Sequence, residues 1–234
     1  MLELRDVKKS YGKKEVLHGI NIKFENGIYG LIGPNGAGKS TVMSIMADVL
    51  DMTSGEIFLD GLSISELKQR YREKIGFLPQ NVGYYPNFTA WKTVEYFGYL
   101  RGVKKENMQE RIETVLKSVN LYEHRNEKVK TFSGGMKQRL GIAITCVSDP
   151  DIIIFDEPTV GLDPDERVRF KNLISELGKT KTVILSTHIV SDVEETADYM
   201  ITIRDGIITS VDEINRKDKN CEVPGEICDE NGDI

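Results

Sequence analysis

The stretch IYGLIGPNGAGKST, Ile28–Thr41, decides the reading of the whole chain. Its first five residues, Ile28–Ile32, are apolar or small, as a buried strand requires. Gly33–Thr41 then fits G-x-x-x-x-G-K-[ST], a loop whose backbone N–H groups surround phosphate oxygens. Glycines at 33, 36 and 38 leave no side chain to obstruct that approach. Val42, Ile45, Met46 and Val49 follow helical spacing, so a helix N-terminus adds its positive end behind the loop. The candidate phosphate-binding residues are Gly33, Pro34, Asn35, Gly36, Ala37, Gly38, Lys39, Ser40 and Thr41. Lys39 is expected to reach the β- and γ-phosphates, and Ser40 to ligate Mg²⁺. A glycine-rich turn carrying Lys-Ser by chance would need neither the strand before it nor the helix after.

A second stretch, IIIFDEPT at Ile152–Thr159, completes the pattern. Four β-formers bury a central strand and place Asp156 and Glu157 at its C-terminal end, where open α/β sheets bind ligands. Asp156 suits Mg²⁺, through water. Glu157 suits orienting and deprotonating an attacking water, a role worth roughly 10²–10⁴-fold in rate. Alone, such a pair also reads as a solvated acidic turn; the upstream phosphate loop favours the chemical reading.

Outward from these motifs, short β-rich runs alternate with amphipathic helices, the pattern of an α/β fold with a largely parallel sheet. Strands are expected at Leu2–Val7, Val16–Phe24, Ile57–Leu59, Ile75–Leu78, Val183–Ser186, Met200–Ile203 and Ile207–Ser210 besides the two above. The earliest alternate with polar residues and are joined by short turns, which suggests an antiparallel flank. Ile112, Val115, Leu116 and Val119 mark one helix, and Phe170, Leu173, Ile174 and Leu177 another. The second of these begins with Asp163 as N-cap and Pro164 at its first position. Met136, Leu140, Ala143, Ile144 and Val147 line one face of a third. Residues 81–150 carry little strand pattern and read as a helical insertion between residues 1–80 and 151–211 of a nucleotide-binding core.

The net charge of −6 is unevenly placed. Residues 212–234 carry eight acidic and three basic side chains, hence −5, and are expected to form a weakly ordered tail. The near-neutral remainder has no basic excess to suggest nucleic-acid binding. The longest apolar run, Ile152–Phe155, is far short of the roughly 20 residues of a spanning helix. The opening MLELRDVKKS has charges where a signal peptide needs apolar residues, which argues against export of the chain. Three cysteines without such a signal fit a reducing cytoplasm. They give no metal-ligand spacing: Cys221 and Cys228 lie in the tail, and Cys146 among helical core positions.

Between the two motifs lies FSGGMKQRLGIA, Phe132–Ala143. With this segment the sequence resembles the nucleotide-binding subunits of ATP-binding-cassette (ABC) transporters, over about Leu2–Val211 and in the expected motif order. The resemblance implies a P-loop NTPase (RecA-like) core with an antiparallel flank and an inserted helical subdomain. It implies that Tyr11 stacks on adenine, although an amphipathic tyrosine could also simply pack. Gln80 in FLPQ would touch Mg²⁺ and water, and His188 would contact γ-phosphate and Glu157. Ser133, Gly134 and Gly135 would close over the ATP of a second subunit, where a helix start gives the anion contact a physical basis. Asp163, in Gly161-Leu162-Asp163, would lie on the loop crossing the subunit boundary. Phe132 and Met136 flank Ser-Gly-Gly where Leu and Gln are commoner, and Val160-Gly161 stands where Ser-Ala is frequent. Such variants resemble the exporter branch paired with six-span permeases.

The resemblance therefore implies an ATPase subunit acting through an integral membrane permease and pairing with itself or a homologous subunit. It would sit in the cytoplasm, peripheral on the cytoplasmic face of the membrane. Two alternatives stand beside it: a soluble ATPase of the same type acting on DNA or ribosomes, and a regulatory module that binds nucleotide without turnover. Seven of the 18 aromatics fall within residues 81–100, more than one helix face can bury. Part of this group is expected to form the subdomain's own core. Tyr84, Tyr85 and Phe88 are the candidates for contact with a permease helix.

Overall fold

The fold is described from a computed structural model over residues 1–187 and 190–214, the side chain of Asp192 aside. His188 and residues 215–234, with Cys221 and Cys228, lie outside the described residues. Two sheets organise the chain, beginning with strands β1 (Leu2–Tyr11), β2 (Lys14–Phe24) and β3 (Gly27–Ile32). Helix α1 (Lys39–Met46) follows, then β4 (Ser54–Leu59), β5 (Leu62–Ser63), the short helices α2 (Ile64–Leu67) and α3 (Gln69–Glu73), and β6 (Ile75–Leu78). Helices α4 (Ala90–Leu100), α5 (Lys105–Ser118) and α6 (Gly134–Cys146) come next, with a 3₁₀ turn at Val129–Thr131 before α6. The chain continues through β7 (Ile152–Asp156), α7 (Pro164–Gly178), β8 (Thr182–Ser186), α8 (Val190–Thr196), β9 (Tyr199–Arg204) and β10 (Ile207–Glu213).

An antiparallel sheet in the order β2-β1-β4-β5 forms the flank, and a six-stranded sheet in the order β10-β9-β3-β8-β7-β6 forms the centre. Every pairing in the centre is parallel except β9 with β10. Strands β7 and β8 are buried throughout, and their side chains alternate between two cores as a pleated strand requires. Ile152, Ile154 and Ile184 face α1 and the flank sheet. Ile153, Phe155, Val183 and Leu185 face α6, α7 and the helical insertion.

Helix α1 has eight residues, too few to hold together by propensity alone. Val42, Met43, Ile45 and Met46 are buried between the sheets, and this packing holds it in place. Val49, read from spacing as a fourth helical apolar position, is 69% exposed. The helix has already ended at Met46, with Asp48 turned into the left-handed region at φ 55°. Strand β10 continues beyond Ser210 through Glu213, where Asp212 pairs with Met200 and Glu213 with Tyr199. The first two acidic residues of the C-terminal segment thus belong to the sheet and stay exposed.

In the helical insertion, Thr89 caps α4 by accepting from the Lys92 N–H, and Ser133 caps α6 by accepting from the Met136 N–H. Ile112, Val115, Leu116, Leu140, Ala143 and Val147 form its core. Tyr84 joins this core and donates its hydroxyl to the Lys137 carbonyl at 2.6 Å. Burial raises its pKa. Desolvation also pushes the Cys146 thiol up to about 12, so it is a poor thiolate and a poor metal ligand.

Candidate nucleotide site

The C-terminal ends of β3, β7 and β8 meet at one side of the central sheet. A cavity of about 720 Å³ there is lined by Tyr11, Asn35, Gly36, Gly38, Lys39, Ser40 and Thr41. Gln80 and Glu157 enter it from the ends of the segments carrying β6 and β7. Residues separated by more than a hundred positions are thus brought to one place.

The loop from Gly33 to Gly38 needs its glycines for space as well as conformation. A Cβ on Gly33, at φ 154°, would come within 2.1 Å of the Ile203 carbonyl, and one on Gly38 within 2.7 Å of Leu17. Lys39 is buried, and its ammonium donates to the carbonyls of Gly33 at 2.7 Å and Pro34 at 3.2 Å. The Ala37 N–H closes a turn on Pro34, and the Ala37 carbonyl accepts from Gly206 in the β9–β10 turn. The site thus has a curved backbone with a cation threaded across it, an arrangement suited to a polyphosphate.

Asp156 ends β7 opposite Ser186 of β8. Its Oδ1 accepts a hydrogen bond from Ser186 Oγ at 2.6 Å, and the same Oγ accepts from the Glu157 N–H at 2.9 Å. Glu157 leaves the strand at φ 52°, in the left-handed region that a non-glycine residue seldom adopts. The described residues contain no cluster of three or more His, Cys, Asp or Glu that could cage a metal. Ser40 and Gln80 line the cavity with a hydroxyl and an amide oxygen, and the buried Asp156 carboxylate, which does not line it, stands one residue before Glu157, which does. This oxygen set fits Mg²⁺, which keeps water and takes phosphate oxygens rather than filling an all-protein cage. Tyr11 is 51% exposed at the end of β1 and lines the cavity, with the Lys9 ammonium 5.1 Å from its ring centroid.

Ser133, Gly135 and Asp163 do not line this cavity, and Gly134 lines a separate hollow of about 350 Å³ that shares only Gln80 with it. They are grouped with one another instead. Asp163 caps α7 by accepting from the Glu166 N–H at 2.8 Å. A Cβ on Gly135 would lie 2.5 Å from the Glu166 carboxylate and 3.4 Å from the Gly161 carbonyl. Arg139 of α6 pairs with Glu166 of α7 at 2.8 Å.

Sequence reasoning missed part of the cavity wall. Lys14, Glu15, Val16 and His18 of β2 line it, as do Asp205 and Gly206. The His18 ring lies 3.3 Å from the Glu15 carboxylate. The β2 residues had proximity to Tyr11 as their sequence signal; Asp205 and Gly206 had none.

A parallel sheet that ends in a glycine-rich phosphate loop beside paired buried carboxylates defines a P-loop nucleotide hydrolase. The family model described as ABC transporter matches residues 17–160. The chain is 36% identical over 213 residues to the linearmycin resistance ATP-binding protein LnrL of Bacillus subtilis, covering 90% of this chain and 68% of that protein. It is 39% identical over 210 residues to the lantibiotic transport ATP-binding protein SrtF of Streptococcus pyogenes, covering 89% of each. The ATP-binding cassette MJ0796, solved as a dimer in a post-hydrolysis state bound to ADP and Pi, superposes with a TM-score of 0.82 at 29% identity. That match covers 92% of this chain and 99% of the cassette. The chain belongs to the ABC transporter family. It is an ATP-binding, ATP-hydrolysing subunit that energises transport, and neither the DNA- or ribosome-acting alternative nor the non-hydrolysing one fits these relatives.

Proposed function

We propose that the chain powers export through a separate membrane permease, as one half of a dimer that holds ATP between its subunits. The observation that carries this reading is the separation within one chain of the phosphate loop from the Ser133–Gly135 segment that opens α6. Lys39 and the phosphate loop line the 720 Å³ cavity, whereas Ser133–Gly135 and Asp163 are grouped elsewhere. A second subunit under two-fold symmetry would bring its Ser133–Gly135 onto the first subunit's ATP, making two composite sites. The similar MJ0796 cassette is dimeric with ADP and Pi, and SrtF is named for lantibiotic transport.

In this reading Tyr11 stacks on the base, the loop N–H groups hold the phosphates, and Lys39 balances charge on the β- and γ-phosphates. Ser40, Gln80 and Asp156 would hold Mg²⁺, which when bound neutralises phosphate oxygens. Glu157 orients the attacking water and accepts its proton. His188 contacts the γ-phosphate, and Asp163 lies at the subunit boundary.

Mixing two variants tests the composite site. Lys39→Ala removes the phosphate-loop cation, and Ser133→Arg blocks the second element; each homodimer then has two damaged sites. A mixed dimer regains one intact site, so the mixture is expected to hydrolyse ATP where neither variant does alone. A mixture as silent as its parts, although the two variants associate, would overturn the proposal.

Among the described residues no helix is long and apolar enough to cross a membrane. We place the chain in the cytoplasm, held at the membrane face by its permease. Tyr84 is committed to the helical core, but Tyr85, Phe88 and Tyr96 form an outward group with ring centroids 4.9–6.0 Å apart. Tyr85 is 48% exposed, an area for a partner helix to cover. Tyr85→Asp is expected to abolish co-purification of the permease from detergent extract while leaving basal ATPase within about twofold. Undiminished co-purification would remove this surface from the permease contact.

A further inference from the structure

Adjacent residues of an extended strand point to opposite faces. Asp156 and Glu157 are adjacent, yet both must serve one reaction centre. The chain resolves this conflict at one backbone turn. Asp156 keeps strand geometry and its register opposite Ser186, while Glu157 departs at φ 52° and lines the nucleotide cavity.

A buried hydroxyl meets that turn. Ser186 ends β8 and is fully buried. Its Oγ has one hydrogen and two lone pairs, and both functions are engaged here. The hydrogen goes to Asp156 Oδ1 at 2.6 Å, and a lone pair receives the Glu157 N–H at 2.9 Å. The first bond fixes the position of one carboxylate oxygen of Asp156. The second holds the backbone amide from which the left-handed turn begins. Neither contact reaches the reacting atoms.

We infer that Ser186 is a positioning residue for ATP hydrolysis: one buried hydroxyl sets both the carboxylate proposed to hold Mg²⁺ and the direction of the general base. The inference rests on the roles proposed above for Asp156 and Glu157. Outer contacts of this kind typically change metal affinity or activity by about 10–100-fold when removed.

Thr and Val have nearly the same shape and differ in the hydroxyl, so Ser186→Thr and Ser186→Val separate the hydrogen bonds from packing. Wild type and Glu157→Gln are assayed in parallel, with melting followed by Trp91 fluorescence. Ser186→Thr is expected to keep at least about a third of wild-type kcat. Ser186→Val should lose about 10–100-fold in kcat, with KM for ATP within about threefold and a several-fold higher Mg²⁺ concentration for half-maximal rate. Equal kcat in folded Thr and Val variants, beside an inactive Glu157→Gln, overturns the role of Ser186 alone. A wild type without ATPase, or a Glu157→Gln as fast as wild type, overturns instead the carboxylate roles on which the inference stands.

Discussion

Glu157→Gln is expected to hydrolyse ATP roughly 10²–10⁴-fold more slowly than wild type, the range for loss of a general base. The substitution is nearly isosteric and retains the backbone N–H that bonds Ser186 Oγ at 2.9 Å, so the turn at residue 157 survives. What is lost is the ability to take a proton from water. ATP binding should remain, because the phosphate loop and Lys39 are untouched. Unhydrolysed ATP would then persist between two half-sites. Sedimentation velocity with saturating ATP and Mg²⁺ should find a dimer that ADP does not support. A folded variant that stays monomeric under those conditions would refute the nucleotide-sandwich proposal, whatever its rate.

Lys39→Ala is expected to fail one step earlier, at binding. The ammonium spans the loop by donating to Gly33 at 2.7 Å and Pro34 at 3.2 Å, and its removal takes away both the bridge and the cation. Hydrogen bonds to charged groups contribute about 1.5–3 kcal/mol each, so one or two lost contacts correspond to roughly 10- to 10⁴-fold weaker ATP binding. Calorimetric titration should find little or no heat of ATP binding at concentrations saturating for wild type. Hydrolysis should fall to background, and ATP should no longer raise the melting temperature. A variant that binds ATP within twofold of wild type would contradict the role given to Lys39. The two substitutions therefore fail in different assays, one holding nucleotide without cleaving it and the other scarcely holding it.

Local spacing carried much of the architecture. Ile152–Phe155 and Ile75–Leu78 are strands at or within a residue of their expected bounds because a run of buried β-formers has few other places to go. Asp163 and Pro164 open α7 as expected because capping and fixed φ are properties of those two residues. Val49 was misread because periodicity persists past a helix end when a turn happens to carry an apolar residue. Tyr84 was read as surface because an aromatic-rich segment does not reveal which ring turns inward; that depends on the Lys137 carbonyl, 53 positions away. Ser186 had no local signature. Its significance depends on the pairing of β7 with β8, which exists only once the sheet is assembled. The contribution of β2 and of the Asp205-Gly206 turn to the cavity was hidden for the same reason.

The alternation along β7 has a consequence for motion. Ile152 and Ile154 belong to one core, Ile153 and Phe155 to the other, and the same strand ends in Asp156. It is a party wall between two rooms, and its last residue, Asp156, is tied to the neighbouring strand through Ser186. Displacing β7 would disturb packing on two sides at once, in interiors as dense as organic crystals. Any rearrangement that accompanies ATP capture and product release is therefore expected to leave β7 in place.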